Sequence, residues 1–191
     1  MTDNFVKKVE NFVKKKLPGD YLVGYPHIER VRQNALMLQK KFGGDKEIIE
    51  VAALLHDIGR IKDSAQHGKY GVEISEEFLK KIGYPDEKRK KVVRVVAVHG
   101  REDWDTAGRP ETLEEKIVYD ADKMDLVCVI WLFKVFLLCK NAGQDFRDAM
   151  KHARKTLDEN YPEMFFMKEE LRQKYDFLIK ILDEVEKEIG R

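Results

Sequence analysis

Glycine and proline cut this sequence at short intervals, and between the cuts apolar residues recur every three or four positions. The breaks fall at Pro18-Gly19, Gly24 to Pro26, Gly43-Gly44, Gly59, Gly83 to Pro85, Gly100, Gly108 to Pro110, Gly143 and Pro162. A period near 3.6 puts the apolar residues on one face of a helix, and short segments bury such faces only against one another. The pattern therefore predicts an all-α, single-domain helical bundle of about six to eight helices with no sheet. No repeat, low-complexity tract or long Gly/Ser linker marks a domain boundary in the 191 residues.

The individual helices follow from their ends. Ile28, Val31, Ala35, Leu38 and Phe42 form one stripe between His27 and the stop at Gly43-Gly44. Asp45 caps the next helix, where Ile48, Ala52 and Leu55 repeat until Gly59, so His56 and Asp57 fall at its C-terminal end. A third helix is expected over 70–82, ending at Gly83. The valine-rich stretch 90–100 suits a strand or a helix, and its helical neighbours decide for helix. Thr112 and Glu115 form a capping box that opens a long core helix to about Lys140. Charged amphipathic helices over 144–159 and 163–190 then pack on that core.

The 43% apolar content supports an ordinary core, and the 37% charged content a densely charged surface. Lys and Arg (36) nearly cancel Asp and Glu (35), so no overall field marks a nucleic-acid or membrane-surface protein. The longest apolar run, 126–133, is far short of the roughly 20 residues that span a bilayer, and the N-terminus has no apolar signal core. The cytoplasm is the expected compartment. Cys128 and Cys139 lie in an apolar stretch too far apart along a helix to bridge, and are expected to be free, buried thiols.

Chemistry concentrates in the first 125 residues, which hold His27, His56-Asp57, His67, His99 and Asp122. His152, among Lys, Arg and Asp, is expected to be a solvated surface residue. The apolar run Val51 to Leu55 leads straight into His56-Asp57, and a buried carboxylate is costly without a partner. A metal ion is one such partner, and a hydrogen-bonded helix end is another. Imidazole and carboxylate are the ligand types for Mn, Fe, Co, Ni or Zn, and sites without Cys favour catalytic ions with open positions for water. A bundle can bring His27, the His-Asp pair and Asp122 together.

The order His27, then His56-Asp57 in Ala-Ala-Leu-Leu-His-Asp-Ile-Gly-Arg, then Asp122 in Tyr-Asp-Ala-Asp-Lys-Met-Asp, resembles the H…HD…D signature of the HD superfamily of metal-dependent phosphohydrolases. The match runs from about His27 to Asp125. The resemblance implies one HD-type domain, with its motif-bearing core at about 22–140. It implies that His27, His56, Asp57 and Asp122 bind a divalent transition metal, with Mg as a further option. Asp122 aligns with the aspartate of the family's Ala-Asp-(Lys/Arg)-Leu-like element. Asp120 and Asp125 compete for that position, and Asp125 lies close enough along the helix to line the pocket from the same side. His67 and His99 are similar to the extra histidines that hold a second ion in some members and serve substrate binding or acid-base chemistry in others. The chain has a single His99 where cyclic-dinucleotide phosphodiesterases of the superfamily carry paired histidines. It has Arg60-Ile61 where alarmone hydrolases carry Glu-Asp. Both departures argue against those specialised activities.

The expected reaction is hydrolysis of a phosphoester or phosphoanhydride by metal-activated water, with one or two ions and with Asp57, His67 and His99 as the catalytic candidates. Phosphatase, phosphodiesterase and nucleotide pyrophosphohydrolase all fit. Arg60, Lys62 and Arg30 are the candidates for substrate phosphate contact, with surface salt bridges as the competing role. The loop 101–111, with Trp104 and Arg109, is either a base-stacking cover or a mobile surface loop. Small stand-alone members of the superfamily point to a nucleotide substrate by analogy. The competing class is a non-catalytic nucleotide- or metal-binding module acting as sensor or scaffold. The sequence carries no signal for oligomeric state.

Overall fold

The computed structural model of the chain describes residues 2–64 and 66–190, and the described residues are helical and contain no strand. They form α1 (Thr2–Lys16), α2 (Tyr25–Phe42), α3 (Lys46–Leu55), α4 (His67–Lys81), α5 (Asp86–Val98), α6 (Trp104–Ala107), α7 (Leu113–Leu126), α8 (Val129–Asn141), α9 (Phe146–Asn160) and α10 (Lys168–Ile189). Short 3-10 turns occupy Ile58–Ile61, Arg101–Asp103 and Tyr161–Glu163. The all-α expectation holds, with ten α-helices among the described residues instead of six to eight. The excess comes from the N-terminal helix α1, the single turn α6, and a division of the core helix. The chain clusters into two compact units, 1–122 and 123–191.

In the first unit α3 is the central element, with α1, α2 and α5 packed on it and α4 packed on α5. Because it is covered on every side, all its residues from Glu47 to Leu55 are buried. The Asp45 side chain caps it by accepting from the amides of Glu47 and Ile48, at 3.0 and 3.2 Å. α1 covers α3 with Val6, Val9 and Val13, and Phe12 stacks on Phe78 of α4 at 3.9 Å between ring centres. The spacing of Phe5, Val9, Phe12 and Val13 is the sequence signal for α1. α2 stops at Gly43, whose φ of 92° is open to glycine and disfavoured for other residues. Leu54 is fully buried. Its truncation, Leu54→Ala, is expected to cost about 2–5 kcal/mol of unfolding free energy, read from the shift of a urea midpoint at constant slope.

The Thr112–Glu115 box forms as the sequence indicates. The amide of Glu115 donates to Thr112 Oγ1, and the amides of Thr112 and Glu111 donate to Glu115 Oε2. The continuous helix expected from there to about Lys140 does not form, since α7 ends at Leu126 and α8 starts at Val129. Cys128 is extended, with φ −150° and ψ 155°. Its thiol donates to the Asp125 carbonyl at 3.1 Å, satisfying one of the terminal acceptors of α7. Val127, Val129 and Ile130 around it are β-branched, which weakens helical continuity.

In the second unit α9 packs on both α8 and α10. Asp145 caps α9 by accepting from the Asp148 amide at 2.8 Å, and Ala149, Met150, Ala153 and Leu157 give it a buried face. The predicted start of the last helix moves from Glu163 to Lys168. Neither Cys128 nor Cys139 is in a disulfide, and Cys139 is buried as expected while Cys128, at the break between α7 and α8, is only half-buried. His152 is exposed, as expected of it.

Candidate metal centre

Four helix ends and one position within α7 bring their side chains around Asp57. His27 sits in the first turn of α2, His56 follows the last residue of α3, and His67 opens α4. His99 follows the last residue of α5, and Asp122 lies on α7. His56, Asp57, His67 and His99 are all less than 7% exposed. The close approach of the 58–61 turn to α4 depends on Gly59. A Cβ there would fall 1.9 Å from the His67 carbonyl oxygen and 2.5 Å from the Gly71 amide nitrogen.

The two oxygens of Asp57 face different pairs of rings. Oδ2 lies 3.7 Å from His27 Nε2 and 3.9 Å from His56 Nε2. Oδ1 lies 3.7 Å from His67 Nε2 and 3.8 Å from His99 Nε2. Asp122 Oδ1 stands 3.5 Å from His27 Nε2 and 3.8 Å from His56 Nε2, and these two ring nitrogens are 3.4 Å apart. Ligand atoms bound at about 2.0–2.2 Å to one ion lie roughly 3–3.5 Å from one another, so these spacings match or slightly exceed those of a coordination sphere. Two sets, His27 with His56 and Asp57, and Asp57 with His67 and His99, bring their ligand atoms within 4.8 Å of one another.

The tautomers support the same reading. Nδ1 of His56, His67 and His99 meets the carbonyl oxygen three residues earlier, at Ala53 (2.8 Å), Ser64 (3.1 Å) and Val96 (2.7 Å). A carbonyl only accepts, so each Nδ1 carries the proton and donates it, and the neutral rings of His56 and His67 keep their Nε2 lone pairs for the side facing Asp57. Burial pushes the His56 and His67 pKa values down to about 4, which keeps both rings neutral near pH 7. Burial also disfavours the His99 cation, but the hydrogen bond and charge of Asp57 outweigh it and raise that pKa. Burial alone would raise Asp57. The Arg60 guanidinium and the surrounding imidazoles reverse this and hold its carboxyl well below the usual range. The donor set, imidazole nitrogens of which His56 and His67 are neutral around the ionised Asp57, fits a divalent ion, whose binding would displace any proton from His99 Nε2.

The cations singled out in the sequence have defined partners. Arg60 donates through Nε to Asp57 Oδ2 at 2.6 Å, with its side chain 43% exposed. Lys62 lies 3.5 Å from Glu73 Oε2 and over the Tyr70 ring. Arg30 donates to the Tyr21 carbonyl at 2.6 Å and covers the Tyr21 ring. Trp104 is engaged too. Its Nε1 donates to the Val98 carbonyl at 3.1 Å, and its ring lies near both Tyr119 and the Arg109 guanidinium. The 101–111 segment is thus anchored rather than a loop with a free stacking surface. Sequence reasoning missed Glu102, whose Oε1 stands 3.5 Å from His67 Nε2. No spacing rule separates that carboxylate from the many others in this highly charged chain.

The family model for the HD domain matches residues 24–126, more than half of the chain. This chain belongs to the HD domain family. Among proteins of known structure, an HD-superfamily hydrolase from Bacillus thuringiensis superposes with a TM-score of 0.72 at 24% identity, covering 100% of this chain and 99% of that one. Bacillus subtilis YpgQ, solved in complex with ADP, superposes with a TM-score of 0.75 at 23% identity over 98% and 97% of the two chains. These likenesses establish a shared fold. A tRNA (cytidine(56)-2'-O)-methyltransferase from Picrophilus torridus is 34% identical over 110 residues, which are 51% of this chain and 30% of that protein. The chain thus spans about a third of the length of that relative.

Proposed function

We propose that this chain is a metal-dependent phosphohydrolase acting on a nucleotide. The observation that carries the reading is a single buried carboxylate, Asp57, whose two oxygens each face the Nε2 atoms of a different pair of imidazoles at 3.7–3.9 Å. His27, His56, Asp57 and Asp122 would hold one divalent ion, and Asp57, His67 and His99 a second, with Glu102 beside them. An ion held there supplies Lewis acidity, lowering the pKa of water and polarising a phosphoryl oxygen.

The residues themselves prepare the site for a phosphate. Asp57 remains ionised at neutral pH and supplies negative charge between the ring pairs. Arg60 fixes the orientation of Asp57 through Nε, which leaves the terminal nitrogens of its guanidinium for a substrate oxygen. The apolar α3 behind His56 excludes water from one side and strengthens every electrostatic contact in front of it. Nucleotide as the substrate class draws support from the ADP complex of YpgQ. The complete H…HD…D set favours an enzyme over a silent binding module.

The test is metal content of the purified protein together with phosphate and pyrophosphate release from nucleoside mono-, di- and triphosphates, with and without Mn, Co or Ni. Turnover that depends on the ion and disappears in His56→Ala is the expected result. A protein that binds no divalent ion, or a His56→Ala variant with full turnover, would overturn the reading.

A further inference from the structure

The cations that the sequence singles out are all engaged by protein groups, Arg60 by Asp57, Lys62 by Glu73 and Arg30 by the Tyr21 carbonyl. Arg101 differs from them. Its Nε is buried, and among the described residues it has no hydrogen-bond partner. Among the same residues no ion pair or ring contact engages its guanidinium, while the residue as a whole is partly exposed. Withdrawing a charged donor from water without an acceptor is unfavourable, so such a group marks a position that an anion completes.

The turn that carries Arg101 is fixed beside the His67–His99 half of the metal centre at three points. Glu102 reaches His67, and the Trp104 indole donates to the Val98 carbonyl. The Asp103 carboxylate packs so tightly on Gly68 that a Cβ there would lie 2.0 Å from Oδ2. Arg101 follows His99 by two residues, so its backbone is held beside that end of the metal centre. A guanidinium presents parallel N–H groups that match two phosphate oxygens.

We infer that Arg101 is a second phosphate-binding residue of this site besides Arg60, taking an oxyanion of a nucleotide at the His67–His99 end. The inference rests on the phosphohydrolase reading for its substrate class. It is tested by calorimetric titration of ATP and ADP into the metal-loaded full chain, alongside steady-state kinetics. Arg101→Gln should weaken nucleotide binding and raise KM about 10- to 100-fold, the scale of a charge-assisted pair, with kcat within about threefold and unchanged metal stoichiometry. Arg101→Lys, which keeps the charge and loses the fork, should fall between. Lys155→Gln, on the exposed face of α9, controls for net charge and should leave KM unaltered.

Unchanged nucleotide affinity in Arg101→Gln overturns the assignment even if the enzyme turns over normally. So does absence of ATP and ADP binding in the wild-type protein. Arg101-dependent binding without hydrolysis of any nucleotide sustains the assignment and removes the hydrolase reading, so the two fail separately.

Discussion

On the two-ion reading proposed above, Asp57→Asn is expected to abolish binding of both ions and to lower turnover by about three orders of magnitude or more, at or beyond the upper end of losses from deleting one charge-stabilising group in an active site. Its two oxygens serve different ring pairs, so one substitution removes a ligand from each. Asparagine keeps the shape and leaves the fold intact. The contrast lies with single histidines: His27→Ala should release only the ion between His27 and His56, and His99→Ala only the other. Metal content by mass spectrometry after gel filtration reads all three variants. If His27→Ala and His99→Ala deplete the same ion, or Asp57→Asn retains two, the shared-carboxylate arrangement is wrong.

Gly59→Ala should have the second large effect, through backbone alone. The added methyl would occupy the space of the His67 carbonyl and the Gly71 amide, neither of which can rotate away as a side chain can. Relief requires moving the 58–61 turn away from α4. The expected cost is at least about 3 kcal/mol, at the upper end of overpacking penalties, or roughly 6–12 °C in Tm for a chain of this length. Because α4 carries His67, the ion at His67 and His99 should weaken much more than the ion at His27 and His56. A variant with wild-type Tm and both ions at full occupancy would show that the turn and α4 separate without penalty.

The legible part of the molecule was local. Asp45, the Thr112–Glu115 box and the glycine after Phe42 are chain signals that act within a few residues, and each operates in the structure as its spacing indicates. His56-Asp57 was legible because an uninterrupted apolar run leads into it, so its burial followed from sequence alone. The division at Cys128 was not, since β-branched residues lower helical continuity without fixing where it fails. Glu102 and Arg101 were hidden for another reason. They matter only because three anchors hold the 101–103 turn against α4 and α5, and no periodicity encodes contacts between a turn and two helices. The uncommitted state of Arg101 became visible only once the partners of Arg60, Lys62 and Arg30 were known.

The carbonyl contacts of His56, His67 and His99 have a consequence for how such a centre is inherited. Each ring is aimed by an acceptor three residues upstream, so its direction is written in a four-residue word and not negotiated with distant neighbours. Assembly then asks only that the ends of a few helices meet. Chain added before or after this block leaves the aim of the rings unchanged, which makes the block portable.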